Sequence, residues 1–268
     1  MLGEIAYNIN VKKRRPCFTR YRPDGKAVIS ISVVSHSQAV LVKALLGDLS
    51  AHVAADQIEV IFTVNVEEPL PFSAGDFPFR LQIVRNAAPR GFGMNHNAAF
   101  VLAAGGYFCV LNPDIRISAD IFPRLLESVS KTSAGVVSPL IVSTAGVNED
   151  HARRFPTLLG ILKKVFLGAK GPDYVLGNND YSPDWVAGMF MLFRAETFRQ
   201  LNGFDDGYFL YYEDVDLCWR LRRAGLGVTV VPAVRVIHDA RRTSHTNIRY
   251  LRWHLASMLR FFWKRFVG

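Results

Sequence analysis

Cysteine is scarce in this 268-residue chain: Cys17, Cys109 and Cys218 are its three, an odd number without metal-ligand spacing. That excludes a disulfide framework and reads as reduced thiols in a cytoplasmic protein. Long apolar runs are missing too, since none reaches the roughly 18 residues that a membrane span requires. The nearest, residues 98–111, contains Gly105-Gly106 and ends in a turn signal. Residues 11–15 (VKKRR) are followed by polar and charged residues, so no secretory signal is expected there. Internal repeats and low-complexity tracts are absent.

Apolar residues make up 50% of the chain and aromatics 12%, enough for a sizeable core, and global disorder is excluded. The net charge of +9 is unevenly placed. Residues 1–27 hold seven Lys/Arg against two acids, and residues 235–268 hold eight against one. The middle carries 17 basic and 20 acidic residues. A slightly acidic body with two basic ends does not describe a nucleic-acid binder. It suits contact with an anionic surface such as a membrane leaflet, the alternative being solvated basic tails.

Residues 1–26 are polar and basic, broken by Pro16, Pro23 and Asp24-Gly25, and read as an extension. Strands are expected over 28–35, 58–64, 81–84, 107–111, 135–137 and 228–237. Helices are expected over 38–49, 94–104 and 121–130, and from 215 onward. Residues 142–181, rich in Gly, Asn and Pro, read as loops or a flap. Alternating strands and helices imply an α/β fold: a mostly parallel, Rossmann-like sheet flanked by helices. Ligands in such folds bind beyond the carboxyl ends of the strands, which directs attention to the loops after Ser35, Val64 and Leu111.

Asn112-Pro113-Asp114 closes an apolar strand. It is an ordinary turn sequence, or it places Asp114 where a hard divalent cation could share its oxygen with a diphosphate. Glu213, Asp214 and Asp216 open a helix between aromatic neighbours. Acids there complement the helix dipole, yet burial beside Tyr211, Tyr212 and Trp219 would be costly for a purely structural cluster. A general base needs such a positioned, partly desolvated carboxylate. His238 follows a strand, and Arg241, Arg242, Thr243, Ser244 and His245 make an electropositive loop able to hold phosphate oxygens. Residues 90–97 (RGFGMNHN) lack the third glycine of a dinucleotide-binding loop and read as a turn into a helix.

In order along the chain, these segments resemble the family 2 glycosyltransferases, especially their rhamnosyltransferase-like branch in bacterial polysaccharide assembly. The carriers are Arg85-Asn86, Gly91-Phe92-Gly93, Asn97, Leu111-Asn112-Pro113-Asp114 and Arg154-Phe155-Pro156. Further on come Trp185-Val186-Ala187-Gly188, Phe190 to Phe193, Leu201-Asn202-Gly203-Phe204-Asp205, and Tyr212-Glu213-Asp214-Val215-Asp216-Leu217. The resemblance spans about residues 28–244 and implies a GT-A fold, a nucleoside-diphosphate sugar donor (dTDP- or UDP-sugar) and an inverting displacement. It implies Asp114 and His238 on Mg²⁺ or Mn²⁺, and Asp214, or alternatively Glu213, as catalytic base. It places Ser35, Asn65, Gly91, Asn97, Asn112, Trp185, Gly188 and Arg242 around donor and acceptor. The chain departs from the family at Ser35-His36-Ser37, at Val64-Asn65, where an acid is usual, and at Arg241-Arg242, where a glycine is usual.

At the C-terminus, Leu251, Leu255, Met258, Leu259, Phe262 and Phe266 share one helical stripe, with Arg252, Arg260 and Lys264 on another. A basic amphipathic helix rich in aromatics suits a membrane interface, where a lipid-linked saccharide acceptor would lie. The alternative is packing on the domain or in a homodimer. The expected organisation is a basic extension (1–26), a GT-A domain (27–245) and an amphipathic helix (246–268), peripheral on the inner face of the cytoplasmic membrane. Two other functions stay open: a nucleotidyltransferase making an NDP-sugar, and a non-catalytic partner in an assembly complex.

Overall fold

The computed structural model describes residues 28–167, 173–174, 177–239 and 248–267. The extension at 1–26, Cys17 and the basic loop carrying Arg242 lie outside the described residues.

The first strand, β1 (Ile29–His36), alternates Ile29, Ile31 and Val33 with Ser30 and Ser32, and its first seven residues are buried. A strand buried on both faces belongs in the middle of a covered sheet. It pairs in parallel with β2 (Ile58–Val66) and β4 (Tyr107–Leu111), and β2 pairs in parallel with β3 (Arg80–Arg85). The other half holds β6 (Ala134–Ser143) parallel to β10 (Gly227–His238), with β5 (Ile115–Arg116) antiparallel to the end of β10. The two halves are joined by β9 (Phe190–Arg194), antiparallel to both β4 and β6. The resulting order is β3-β2-β1-β4-β9-β6-β10-β5.

Side-chain alternation divides the core into two layers. Ile29, Ile31 and Val33 meet α1 (Ala39–His52) and α3 (Phe122–Lys131) on one face. Phe108, Val110 and Phe193 meet α2 (Phe92–Leu102), α5 (Ala195–Gln200) and α6 (Glu213–Arg223) on the other. There Phe198 packs its ring against Phe100, Phe108, Phe193 and Phe204. Each buried phenylalanine of this kind contributes about 1.5–3 kcal/mol. This is the GT-A-like α/β arrangement the resemblance implied.

Two differences from the sequence expectations have physical reasons. Helix α2 begins at Phe92, two residues early, because Gly91 in extended conformation already serves as its N-cap. Within 142–181 the chain forms a ribbon strand, β7 (Ala152–Arg153), and a helix, α4 (Leu158–Leu167). The partner of β7 is β8 (Trp185–Val186), far along the chain, so no local pattern announces it. The C-terminal α7 (Ile248–Val267) is helical, as expected.

Candidate active site

A cleft of about 1040 Å³ opens beyond the carboxyl ends of β1 and β4. Of the residues singled out from sequence, Asn112, Asp114, Trp185, Gly188, Glu213 and Asp214 line it.

Asp114 reaches the cleft because β4 ends at Leu111 and the chain turns into β5, which pairs His238 with Ile115. The Asp114 carbonyl accepts the Asp239 N–H at 2.9 Å, closing the turn. His238 Nε2 then lies 3.2 Å from Asp114 Oδ2, both side chains being largely buried. Burial opposes the charged imidazole, but the Asp114 carboxylate outweighs it and His238 is raised above its ordinary value. Asp114 Oδ1 and His238 Nδ1 are buried with no hydrogen-bond partner. Among the described residues no group of three or more His, Cys, Asp or Glu could hold a metal alone. A free buried carboxylate oxygen beside an imidazole nevertheless fits a divalent ion that takes most of its shell from a diphosphate and water.

The second half of the site is built by α6. Its first residues are Glu213 and Asp214, and the N-cap, Tyr212, has φ 68°. Tyr211 before it has φ 69°, so two bulky residues in succession occupy the left-handed region. That conformation costs roughly 1–2 kcal/mol per residue and persists only where surrounding contacts enforce it. Asp214 Oδ2 accepts the Gly188 N–H at 3.0 Å and Oδ1 accepts the Val215 N–H at 2.8 Å. Burial raises the Asp214 carboxyl above the usual range despite these bonds and the nearby Arg153. Glu213 is 4% exposed, and its Oε2 has no partner. Burial, and then the charge of Asp214, push Glu213 well above its ordinary value.

The two halves meet through the residues just before β9. Asn112 N donates to Met189 O at 2.9 Å, and Gly188, one residue earlier, donates to Asp214. A Cβ on Gly188 would come within 2.8 Å of the tip of the Phe92 ring, so a larger residue there would have to displace that ring. Trp185 Nε1 donates to Arg154 O at 2.9 Å, fixing the β7–β8 ribbon along one wall.

Other expected residues act behind the cleft wall. Ser35 is buried and hydrogen-bonds Glu68, while its neighbours Val34 and His36 line the cleft. Asn65 accepts the Arg90 N–H at 2.8 Å and donates to Arg90 O at 3.0 Å, pinning the loop before α2. Asn97 bonds the Phe204 N–H and carbonyl and the Asp206 carboxylate. Gly91 lets the backbone of Phe209 pass, because a Cβ there would lie 2.7 Å from Phe209 O. The Phe209 carbonyl also takes the Phe92 N–H at 2.9 Å, which fills the N-terminus of α2.

Sequence reasoning missed His36, Asp150, Arg153 and His254 as cleft-lining residues. Arg153 adjoins the Arg154-Phe155-Pro156 segment and carried a weak signal. His254 comes from α7 and carried none. Glu68 was also missed: its carboxylate accepts the N–H groups of Gln38 at 3.2 Å and Ala39 at 2.8 Å. An internal anion therefore occupies the start of α1, where a nucleotidyltransferase would need to receive a triphosphate.

An α/β sheet whose strand ends bring Asp114, held against His238, into one cleft with the paired carboxylates Glu213 and Asp214 is an arrangement suited to group transfer. The profile of the family described as "Glycosyltransferase like family 2" matches residues 33–256, and the chain belongs to that family. It is 33% identical over 247 residues to rhamnosyltransferase WbbL of Escherichia coli K12, covering 87% of this chain and 92% of that protein. It is 32% identical over 158 residues to the N-acetylglucosaminyl-diphospho-decaprenol L-rhamnosyltransferase of Mycobacterium tuberculosis, covering 55% of this chain and 50% of that one. Among solved structures, it resembles GalNAc-T7 with UDP, GalNAc and Mn²⁺, with TM-score 0.63 and 14% identity over 84% of this chain and 45% of the other. It also resembles the mannosyltransferase PcManGT from Pyrobaculum calidifontis with GDP-Man and Mn²⁺, with TM-score 0.61 and 17% identity over 88% and 65% of the two chains. At these identities the structural likenesses speak for the fold.

Proposed function

We propose that this glycosyltransferase moves a deoxyhexose such as rhamnose from a dTDP- or UDP-sugar to a lipid-linked saccharide during bacterial cell-surface polysaccharide synthesis. The observation that carries this reading is that Asp114, paired with His238, meets Glu213 and Asp214 in one cleft through residues 188–189. The rhamnosyltransferase relatives support the sugar class.

Asp214 is the base in this mechanism. Two backbone N–H groups hold its carboxylate in one orientation, and Arg153 favours its ionised form. Glu213 has an unpartnered oxygen, and burial together with the Asp214 charge opposes its ionisation, which leaves Asp214 the better placed proton acceptor. Asp214 removes the acceptor hydroxyl proton as that oxygen attacks the anomeric carbon. The bond to the diphosphate breaks on the opposite face, inverting the configuration. Asp114 and His238 would hold Mg²⁺ or Mn²⁺, which would offset charge developing on the departing diphosphate. Asn112, Trp185 and Gly188 shape the donor and acceptor pockets, while Ser35, Asn65, Gly91 and Asn97 support them from behind.

The chain divides in this reading into a basic extension (1–26), the transferase unit (27–245) and an amphipathic helix (246–268). Leu251, Leu255, Leu259, Trp263 and Phe266 are exposed on α7, alongside exposed Arg252 and Arg265. A face of large apolar groups flanked by arginines fits an anionic bilayer surface. No described helix is long and apolar enough to cross a membrane. Peripheral attachment to the inner leaflet would present the cleft to a lipid-linked acceptor.

The deciding experiment is calorimetric titration with UDP, dTDP and GDP, each with and without Mn²⁺. Metal-dependent binding of UDP or dTDP that disappears in Asp114→Ala is expected. Folded protein that binds no nucleoside diphosphate would overturn the reading in favour of a non-catalytic partner.

A further inference from the structure

We infer that α7 is a strut that holds the cleft carboxylates in place, with Lys264, Arg260 and His254 as its positioning residues. The inference rests on the transfer reaction proposed above.

Residues 201–212 join α5 to α6 without regular secondary structure, yet they deliver Glu213 and Asp214 to the cleft. A loop of this kind keeps its shape only if both sides are tied. On one side α2 does so, through Asn97 to Phe204 and Asp206 and through Phe92 N to Phe209 O. On the other side the ties come from α7. Ser257 Oγ donates to Leu210 O at 2.9 Å, and Arg260 Nη2 donates to both Asp205 carboxylate oxygens at 2.9 and 3.0 Å. Trp253 packs on Phe209 with ring centroids 4.6 Å apart.

The contacts concentrate where the backbone is strained. His254 meets the rings of Tyr211 and Tyr212, both at 5.4 Å, and Phe261 meets Tyr212 at 5.6 Å. These are the two tyrosines in left-handed conformation directly before Glu213. Without packing from outside, such a pair would relax towards ordinary backbone angles and turn the start of α6 with it.

Lys264 makes the most direct link. It bridges Asp205 at 2.7 Å and Asp216 at 2.5 Å. Asp216 is fully buried in the first turn of α6, two residues after Asp214. Its other partners are Arg220 Nε at 2.8 Å and the Tyr208 hydroxyl at 3.3 Å. A buried carboxylate that loses one of two cations moves towards water or the remaining partner, and the first turn moves with it. Lys264 does not line the cleft, so its effect on turnover acts through Asp216.

The test compares full-length Lys264→Met, Lys264→Arg and wild type by turnover, nucleotide calorimetry and hydrogen exchange. Lys264→Met should lower kcat about 10–100-fold, the scale set by misplacing a catalytic group by about 1 Å. UDP or dTDP affinity should change less than about twofold, because the Asp114–His238 half is untouched. Lys264→Arg should restore most of the rate. Exchange in Lys264→Met should quicken over residues 205–219 and stay unchanged in the sheet. Unchanged kcat and exchange would overturn the strut, as would a parallel loss of rate, nucleotide binding and melting temperature that arginine does not rescue. Inactive wild type would count against the proposed reaction alone, since the exchange measurement still decides whether α7 orders the segment.

Discussion

Replacing the two adjacent carboxylates one at a time separates a base from its buried neighbour. Asp214→Asn keeps the shape and still accepts one backbone N–H, but it cannot take a proton. A positioned general base is worth roughly 10²–10⁴ in rate, about 2.7–5.4 kcal/mol at 1.36 kcal/mol per tenfold. That loss should fall on kcat with donor binding retained. Glu213→Gln replaces a carboxyl whose ionisation is opposed by burial and the Asp214 charge, so the rate should fall less than about tenfold. Stability should move the other way. The folded pKa of Glu213 lies above its unfolded value, because burial and the Asp214 charge disfavour the carboxylate. The corresponding stability is present below the unfolded pKa, near 4.3, and is lost as pH rises through the raised folded value. Glu213→Gln removes that loss. Leaving a buried charge unsatisfied costs about 1–3 kcal/mol or more, and the neutral amide escapes that charge penalty. At about 2–4 °C per kcal/mol for a chain of this size, Glu213→Gln should melt roughly 2–12 °C above wild type at about pH 8, with a smaller gain near pH 5. Thermal unfolding at both pH values and steady-state kinetics make the assay. A collapse of kcat in Glu213→Gln with near-normal rates in Asp214→Asn would refute the assignment. A melting gain larger at pH 5 than at pH 8 would refute the electrostatic argument.

Gly91→Ala puts a Cβ 2.7 Å from Phe209 O at backbone angles alanine tolerates, so its effect is steric. Overpacking of this kind costs about 1–3 kcal/mol, and Gly47→Ala, in open space within α1, should instead stabilise by roughly 0.5–1 kcal/mol; calorimetric melting of both checks the contrast. The protein should float with vesicles containing anionic lipid and not with neutral ones, and Leu255→Asp with Leu259→Asp should abolish flotation. Flotation that survives those changes, or a dimer in light scattering that they dissociate, would assign the exposed face of α7 to another partner.

Several carriers of the family resemblance line one cleft, for a physical reason. Asn112-Pro113-Asp114 ends a buried strand, and Glu213-Asp214 begins a helix. In a sheet covered on both faces the ends of elements are where side chains can meet a ligand. Other features were invisible along the chain. The β7–β8 ribbon pairs residues more than thirty apart, and β9 inserts between β4 and β6 against the parallel run. Neither pairing leaves a local trace, because hydrogen bonds between distant strands require no particular residue. The apolar stripe on α7 was legible, but its docking face was not. Ser257 and Phe261 are the buried residues, with Arg260 and Lys264 reaching Asp205 and Asp216, so the helix packs on the body while most of its apolar stripe remains exposed.

Sequence by itself determined the α/β class, the succession of chemistry-bearing loops along the chain and the acids to examine, because periodicity and element ends are local properties. Only tertiary structure decided that His238 lies against Asp114, that Glu68 fills the start of α1, and that a C-terminal helix braces the carboxylates. Each of these depends on which distant surfaces pack together, and burial and charge pairing acquire values only after that packing exists.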